Sequence, residues 1–201
     1  MKNIVLFGDS LTYGYGVFKK DSIAALLQEK FKKLAVINSG VNGDTTREAL
    51  KRLDYDVLSF SPVAVTVLFG SNDCAPSEGC YRTIVEFKSN LNAIIDRIYK
   101  KNIGTKVILI TPPPVDETVF MPWTTNSRIF NYSEAIREIC REKGCILCDF
   151  NVYMTQESGG DIKSFLQEDG CHLSESGYMA FFRCLEPLID NIINTAGNSE
   201  G

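Results

Sequence analysis

The sequence has one histidine, one tryptophan and no long hydrophobic run. None of its apolar stretches approaches the roughly 20 residues that a membrane-spanning helix needs. The short apolar run after Met1 is also too brief for the hydrophobic part of a signal peptide. The phosphate-binding patterns Gly-x-x-x-x-Gly-Lys-Ser/Thr and Gly-x-Gly-x-x-Gly are absent. We therefore expect no membrane span, no export signal and no cofactor.

An excess of basic charge is also lacking. The formal net charge is −4 at pH 7, which argues against nucleic acid or an anionic membrane surface as a partner. The cysteine count is seven, an odd number. Without an export signal, reduced thiols in the cytoplasm are the simplest interpretation. The length of 201 residues favours one domain over residues 1–201, with no internal repeat or linker.

Five apolar segments alternate with helical patterns along the chain. The segments lack a clear polar–apolar alternation, which is typical of parallel strands covered on both faces. The predicted strands are Ile4–Phe7, Ala35–Asn38, Val63–Phe69, Lys106–Ile110 and Cys145–Phe150. The predicted helices are Ser22–Lys33, Thr45–Leu58, Arg82–Lys101, Tyr132–Lys143 and Ser176–Asn194, before a frayed tail over Asn194–Gly201. The alternation predicts a three-layer α/β/α, flavodoxin-like fold with a five-stranded parallel sheet.

Four polar clusters follow predicted strands at their carboxyl ends. Gly8–Ser10 follows the first strand, Asn38–Thr46 the second and Gly70–Asp73 the third, while Asp169–His172 follows the loop after the fifth. Ligands bind at this edge of open α/β sheets. The clusters are spread over most of the chain, yet we expect them to converge on one site.

The first and last clusters contain the parts of a nucleophilic site. Ser10 comes directly after a strand and a glycine turn, so its hydroxyl is a candidate nucleophile. His172 is the one imidazole available as a base near neutral pH. Asp169, three residues earlier, is close enough to bond the Nδ1 atom and fix the tautomer. A surface Asp-Gly turn with a bystander histidine stays open as the alternative.

The two middle clusters supply candidate hydrogen-bond donors. Gly43 precedes a predicted helix, where a glycine N–H can approach an anion closely. Asn72 contributes a side-chain amide. Together with the Ser10 N–H, these groups would form an oxyanion hole. A plain turn glycine and a helix-capping asparagine are the alternatives, and the shared position at strand ends favours the oxyanion hole.

The four blocks, taken in order, resemble the signature of the SGNH (GDSL) hydrolases. They read Gly8-Asp-Ser-Leu11, Gly43-Asp-Thr, Gly70-Ser-Asn-Asp73 and Asp169-Gly-Cys-His172. The resemblance implies a triad of Ser10, Asp169 and His172, and an oxyanion hole of Ser10, Gly43 and Asn72. Further segments, Thr111–Pro114 and Gly159–Tyr178, are similar to the isoamyl-acetate-hydrolase branch of that family.

The combined prediction is a cofactor-free serine esterase that cleaves small-molecule carboxylic esters through an acyl-enzyme on Ser10. An acyltransferase with the same triad is one alternative. Another is a non-catalytic flavodoxin-like module that binds a phosphate ligand at the Gly43–Thr46 helix start. The connection Thr111–Ser127 is longer than a simple turn requires.

That connection carries bulky side chains, and Phe120, Met121 and Trp123 are predicted to wall the substrate pocket. The resemblance to the isoamyl-acetate branch points to short-chain or acetyl esters. Asp9 and Asp73, with Asp169, would be the candidates for a metal site. We expect instead that Asp9 and Asp73 accept hydrogen bonds from backbone amides, and we predict no metal.

Overall fold

The computed structural model describes residues 1–120 and 124–197, and for residues 120, 196 and 197 the backbone alone. Five parallel strands form one sheet: β1 Lys2–Gly8, β2 Leu34–Gly40, β3 Ala64–Leu68, β4 Lys106–Ile110 and β5 Ile146–Cys148. Their order across the sheet is β2-β1-β3-β4-β5, which is the flavodoxin-like order. The predicted fold class is confirmed.

One or two helices follow each strand along the chain. They are α1 Ser10–Tyr13, α2 Ile23–Lys30, α3 Thr46–Asp56, α4 Ile84–Lys101, α5 Glu117–Phe120, α6 Asn126–Lys143, α7 Phe150–Glu157 and α8 Glu175–Gly197. Single 3₁₀ turns cover Lys19–Asp21, Leu58–Phe60 and Ile162–Phe165. No helix in the described part of the chain is long and apolar enough to cross a bilayer.

Both faces of the sheet are buried, which explains why the strands lack polar alternation. On one face, Val5 and Phe7 of β1 pack into a cluster with side chains of α3, α4 and α6. On the other face, Ile4 and Leu6 pack into a second cluster with side chains of α2, α7 and α8. Successive residues of a strand point to opposite faces, so an uninterrupted apolar run fills both layers.

Threonine side chains cap the first turns of α3 and α4. The Thr45 hydroxyl accepts from the Arg47 amide at the start of α3, and the Thr83 hydroxyl accepts from the Glu86 amide at the start of α4. Such caps satisfy amides that have no partner within the helix. Both caps lie where the chain leaves the carboxyl edge of the sheet, so they fix the polar loops of that edge.

The predicted start of the helix α6 and the predicted end of the strand β5 were wrong. The helix predicted from Tyr132 begins at Asn126, because the Asn126 side chain bonds both backbone atoms of Val115 and so holds the helix start to the preceding loop. The fifth strand ends at Cys148 instead of Phe150. Asp149 caps α7 at that point, and α7 was not predicted.

The predicted frayed tail was also wrong in part, because α8 continues to Gly197. The rest of that tail, residues 198–201, lies outside the described residues.

The sheet order puts a topological switch at the centre of the molecule. β1 pairs with β2 on one side and with β3 on the other, so the chain leaves β1 in one direction and returns to its other side. A crevice forms at such a point beyond the carboxyl ends of the strands. Ser10 follows β1 and Asn72 follows β3, so both lie at this switch.

Candidate active site

Ser10 is the first residue of a helix that begins where β1 ends. The carboxylate of Asp9 caps this helix, since its Oδ1 atom accepts from the Leu11 amide at 3.0 Å. The Ser10 carbonyl accepts from the amides of Gly14 and Tyr15. The backbone around the hydroxyl is therefore fixed on both sides, and Ser10 itself is only partly buried.

His172 meets Ser10 although the two are 162 positions apart in the sequence. Its Nε2 atom lies 3.1 Å from the Ser10 Oγ. Its Nδ1 atom lies 2.6 Å from the Oδ2 atom of Asp169. With Nδ1 bonded to a carboxylate, the Nε2 atom is the free acceptor for the serine proton. The arrangement can therefore remove the proton from Ser10.

Asp169 is held by its own turn as well as by the imidazole. Its second oxygen, Oδ1, accepts from the amides of Cys171 and His172, each at 2.9 Å. Burial acts to raise the pKa of Asp169, but these bonds and the one to the imidazole outweigh it and lower the pKa below its ordinary value. The carboxylate is thus ionised at neutral pH and can stabilise an imidazolium.

The long connection after β4 is attached to the turn that carries Asp169. The Asp116 amide donates to the Gly170 carbonyl at 2.8 Å, and a shorter side-chain contact joins Asp116 to Thr118 at the start of α5. Lys163 lies 3.8 Å from the Asp116 carboxylate. The described residues of this segment therefore lie beside the turn that carries Asp169 and His172.

The backbone amides of Ser10 and Gly43 have no acceptor in the described part of the chain. Gly43 has a left-handed backbone with φ +79°, and a side chain there would point into open space. The loop is anchored next to β1, since the Val41 amide donates to the Gly8 carbonyl at 3.0 Å. Both amides are available to an anionic oxygen.

Asn72 lies between the Gly43 loop and the Asp9 cap. Its Nδ2 atom donates to the Asp44 carbonyl at 2.9 Å and is 3.4 Å from the Asp9 Oδ2 atom. The first bond fixes the direction of the amide group. The second contact is long, so the remaining Nδ2 hydrogen is weakly held and can be offered to a ligand.

The buried carboxylates Asp9 and Asp73 hold backbone amides, as predicted from the sequence. Asp73 accepts from the Thr46 amide at 3.1 Å and from its hydroxyl at 2.5 Å. Burial raises the pKa of Asp9 to about 7, although the Leu11 amide opposes it. Burial likewise raises the pKa of Asp73 to about 6 against the bonds from Thr46. No group of three or more metal-binding side chains occurs within residues 1–120 and 124–197.

Arg52 is a residue that sequence reasoning missed. Its guanidinium bonds the Asp44 carboxylate at 2.5 Å and the carbonyls of Gly8 and Ser39 at 2.9 and 2.8 Å, and it lies over the Phe7 ring. One side chain thus ties the Gly43–Asp44 loop to the end of β1. The i,i+4 spacing of Arg52 and Asp56 was the available signal, and it does not point to Asp44.

The structure brings Ser10, Asp169 and His172 together, and it places the Gly43 loop and Asn72 beside the turn of Ser10. The placement of the predicted pocket residues is not part of the described structure. Met121, Trp123 and the side chain of Phe120 lie outside the described residues.

This geometry is accompanied by a match to a known family. Residues 6–180 match the GDSL-like lipase/acylhydrolase family. The chain belongs to this family. It is therefore a carboxylic ester hydrolase of the GDSL type.

Individual relatives agree with the family assignment. An isoamyl acetate-hydrolyzing esterase 1 homolog of Bos taurus is 32% identical, over 96% of this chain and 83% of that protein. The isoamyl acetate-hydrolyzing esterase of Saccharomyces cerevisiae is 28% identical, over 94% and 86%. A lipase/acylhydrolase structure from Enterococcus faecalis has a TM-score of 0.84 and 34% identity, over 95% and 96%. The resemblance to the isoamyl-acetate branch is confirmed.

Proposed function

We propose that this chain hydrolyses short-chain carboxylic esters through an acyl-enzyme on Ser10. The observation that carries the proposal is the imidazole of His172, with Nε2 3.1 Å from the serine oxygen and Nδ1 2.6 Å from Asp169. A serine, a base and an orienting carboxylate in this order are the parts that nucleophilic acyl transfer requires.

The proposed reaction has two halves. The ester carbonyl oxygen lies toward the amides of Ser10, Gly43 and Asn72, and Ser10 attacks the carbon while His172 takes the serine proton. The tetrahedral oxyanion collapses, the alcohol leaves with the proton from His172, and the acyl group stays on Ser10. Water then attacks with His172 again as the base, which releases the acid and restores the serine.

The oxyanion is where the site supplies most of its stabilisation. Charge develops on the carbonyl oxygen only as the tetrahedral species forms, so donors aimed at that oxygen act more strongly on the transition state than on the bound ester. Ser10 and Gly43 contribute backbone amides without another acceptor in the described chain, and Asn72 contributes its weakly held amide hydrogen. The reaction uses no metal and no cofactor.

The proposed substrate is a small-molecule ester with a short or acetyl acyl group. Both relatives described above have isoamyl acetate, an acetate ester, in their names. We further propose that Phe120, Met121 and Trp123 wall the acyl pocket and limit its length. Each methylene that finds apolar contact adds about 0.8 kcal/mol, and one that clashes reverses the gain.

A panel of p-nitrophenyl esters at fixed pH tests this substrate. We expect kcat/KM to be highest at roughly two to four acyl carbons and to decrease for longer chains. Trp123→Ala should move the optimum to longer acids. A preference of wild type for ten or more carbons, or an unchanged profile in Trp123→Ala, would contradict the pocket assignment. An added alcohol acceptor in the same assay separates hydrolysis from acyl transfer, since transfer yields a new ester.

The seven cysteines bear on the compartment. All are free thiols in the structure, and free thiols persist in reducing compartments. This supports the proposal that the enzyme works in the cytoplasm. We also propose that residues 1–201 form one domain, since all five strands belong to a single sheet.

A further inference from the structure

The imidazole of His172 touches an aromatic ring that the proposed mechanism does not use. The ring of Tyr15 lies 4.4 Å from it between centroids, at an interplanar angle of 38°. Tyr15 lies just after the short helix α1 that starts at the nucleophile, and its amide donates to the Ser10 carbonyl at 3.1 Å. The turn that follows the nucleophile therefore places an aromatic ring against the imidazole of the base.

A glutamine connects the other sides of the same two segments. The Gln167 side chain donates from Nε2 to the carbonyls of Tyr15 and Leu173, each at 2.8 Å. Its backbone amide donates to the His172 carbonyl, also at 2.8 Å. Gln167 thus bonds the backbone of the base and of the residue after it, and also bonds the turn that follows the nucleophile.

This bridge has little room to move on the side of Tyr15. The next residue, Gly16, has φ +77°, and a Cβ atom there would lie 2.2 Å from the Gln167 Oε1 atom. The glycine lets the backbone approach the amide closely enough for the bond to the Tyr15 carbonyl. The absence of a side chain at Gly16 is therefore required for the Gln167 side chain to lie where it does.

We propose that Gln167 and Tyr15 are positioning residues that hold the His172 imidazole in register with Ser10. The inference rests on the proposed function and deepens it. A closed ring of contacts runs from Ser10 through the Tyr15 backbone to Gln167, from Gln167 to His172, and back across the 3.1 Å contact to Ser10. Asp169 sets the tautomer, whereas this ring sets where the imidazole lies.

The physical reason is the steep dependence of proton transfer on geometry. A displacement of about 1 Å between reacting groups can cost on the order of 10²-fold in rate. Ser10 and His172 come from opposite ends of the chain, so their separation depends on contacts between the two turns. Substrate binding does not require that separation. Loss of the bridge should therefore reduce kcat and leave KM nearly unchanged.

Gln167→Met tests the bridge, because methionine keeps the length of the side chain and removes its donors. The matched control is Gln28→Met, remote from the triad. The Gln28 side chain also bridges backbone atoms, donating to the Leu34 carbonyl and accepting from the Val36 amide, each at 3.0 Å. Thermal unfolding of both variants distinguishes a general loss of stability from a displacement of the His172 imidazole relative to Ser10.

With p-nitrophenyl acetate, we expect Gln167→Met to lower kcat by about 10- to 100-fold with KM within about twofold of wild type. Gln28→Met should retain wild-type kcat. Tyr15→Leu should lower kcat in the same way, and Tyr15→Phe, which keeps the ring, should recover most of the loss. An equal kcat in Gln167→Met and Gln28→Met, or an effect confined to KM, would overturn the inference.

A second readout does not depend on activity. His172 is the only histidine in the sequence, so histidine-labelled protein shows the imidazole of this residue alone by NMR. We expect one sharp set of signals in wild type and in Gln28→Met, with broadened signals and faster exchange of the Nδ1 proton in Gln167→Met. Unchanged signals in Gln167→Met would refute the positioning role. An inactive wild type with the expected NMR change would instead contradict the proposed function alone.

Discussion

Asn72→Ala is the substitution that most clearly separates a transition-state contact from a substrate contact. The Asn72 amide is fixed by its 2.9 Å bond to the Asp44 carbonyl and keeps a weakly engaged hydrogen near Asp9. Removing one oxyanion donor typically costs about 10²–10³-fold in kcat, or about 2.7–4 kcal/mol of transition-state stabilisation. KM should change little, because the donor binds the developing oxyanion more strongly than the ground-state carbonyl.

The same substitution also affects the fold, and that effect must be measured apart. Losing the bond to the Asp44 carbonyl should cost about 1 kcal/mol of folding free energy. Asn38→Ala is a matched control, since the Asn38 amide donates to the carbonyls of Thr12 and Tyr13 at 3.0 and 3.2 Å. Both variants lose amide-to-carbonyl bonds near the site, but Asn72 alone has a proposed role in the reaction.

The assay combines steady-state hydrolysis of p-nitrophenyl acetate with urea unfolding of wild type and both variants. We expect similar small losses of stability and a large loss of kcat in Asn72→Ala only. A rise limited to KM would make Asn72 a plain substrate contact. An equal kcat loss in Asn38→Ala would show that loop integrity, not oxyanion stabilisation, explains the effect.

Further predictions concern the triad and the buried carboxylate beside it. Ser10→Ala and His172→Ala should each lower kcat by several orders of magnitude, and the double variant should lose little more, because the two act as a unit; losses that multiply would contradict this. Asp169→Asn should lower kcat by about 10³–10⁴-fold through loss of the Nδ1 tautomer, which a kcat within tenfold of wild type would exclude. The lowered pKa of Asp169 stabilises the fold only while the carboxylate is ionised. Asp169→Asn should therefore destabilise at pH 7, and in urea unfolding this loss should diminish as pH falls below the ordinary aspartate pKa of about 3.9. Asp9 affects stability in the opposite direction, because its pKa is raised to about 7 and folding becomes less favourable as pH rises from about 4 to 7. Asp9→Asn should therefore be more stable than wild type by up to about 4 kcal/mol at pH 8, and equally stable at pH 3. A gain from Asp9→Asn that is independent of pH would contradict the raised pKa.

The convergence of Ser10, Asp169 and His172 could be predicted, because it follows from the parallel direction of the strands. Apolar runs covered on both faces indicate parallel strands, and the carboxyl ends of parallel strands share one edge. The last member of the site needed more, because Asp169 and His172 follow a helix and a 3₁₀ turn after β5. For these two the three-residue spacing was the signal.

The parts that could not be predicted depend on side chains reaching across loops. Gln167 and Tyr15 are ordinary residues for a turn, and nothing in their local sequence indicates that one bonds the carbonyl of the other 152 positions away. The early start of α6 has a similar cause, since Asn126 pairs with the backbone of Val115. Such contacts follow from how the loops fold over the sheet edge, which periodicity does not encode.

Arg52 illustrates the same limit inside a helix that was predicted well. Its position on α3 indicates a solvated face with Asp56 one turn away. In the structure, the guanidinium instead points inward, where it packs on the Phe7 ring and pairs with the Asp44 carboxylate. The partner that matters comes from the preceding loop, whose path the helix pattern does not determine.

Labelling with a fluorophosphonate, followed by peptide mass mapping, shows directly whether Ser10 is the activated nucleophile of this enzyme. The reagent forms a stable adduct with a serine only where a base activates the hydroxyl and donors hold the phosphoryl oxygen. We expect a single adduct on Ser10 in wild type, none in Ser10→Ala, and much slower labelling in His172→Ala. An adduct on another residue, or a folded wild type that is not labelled, would contradict it.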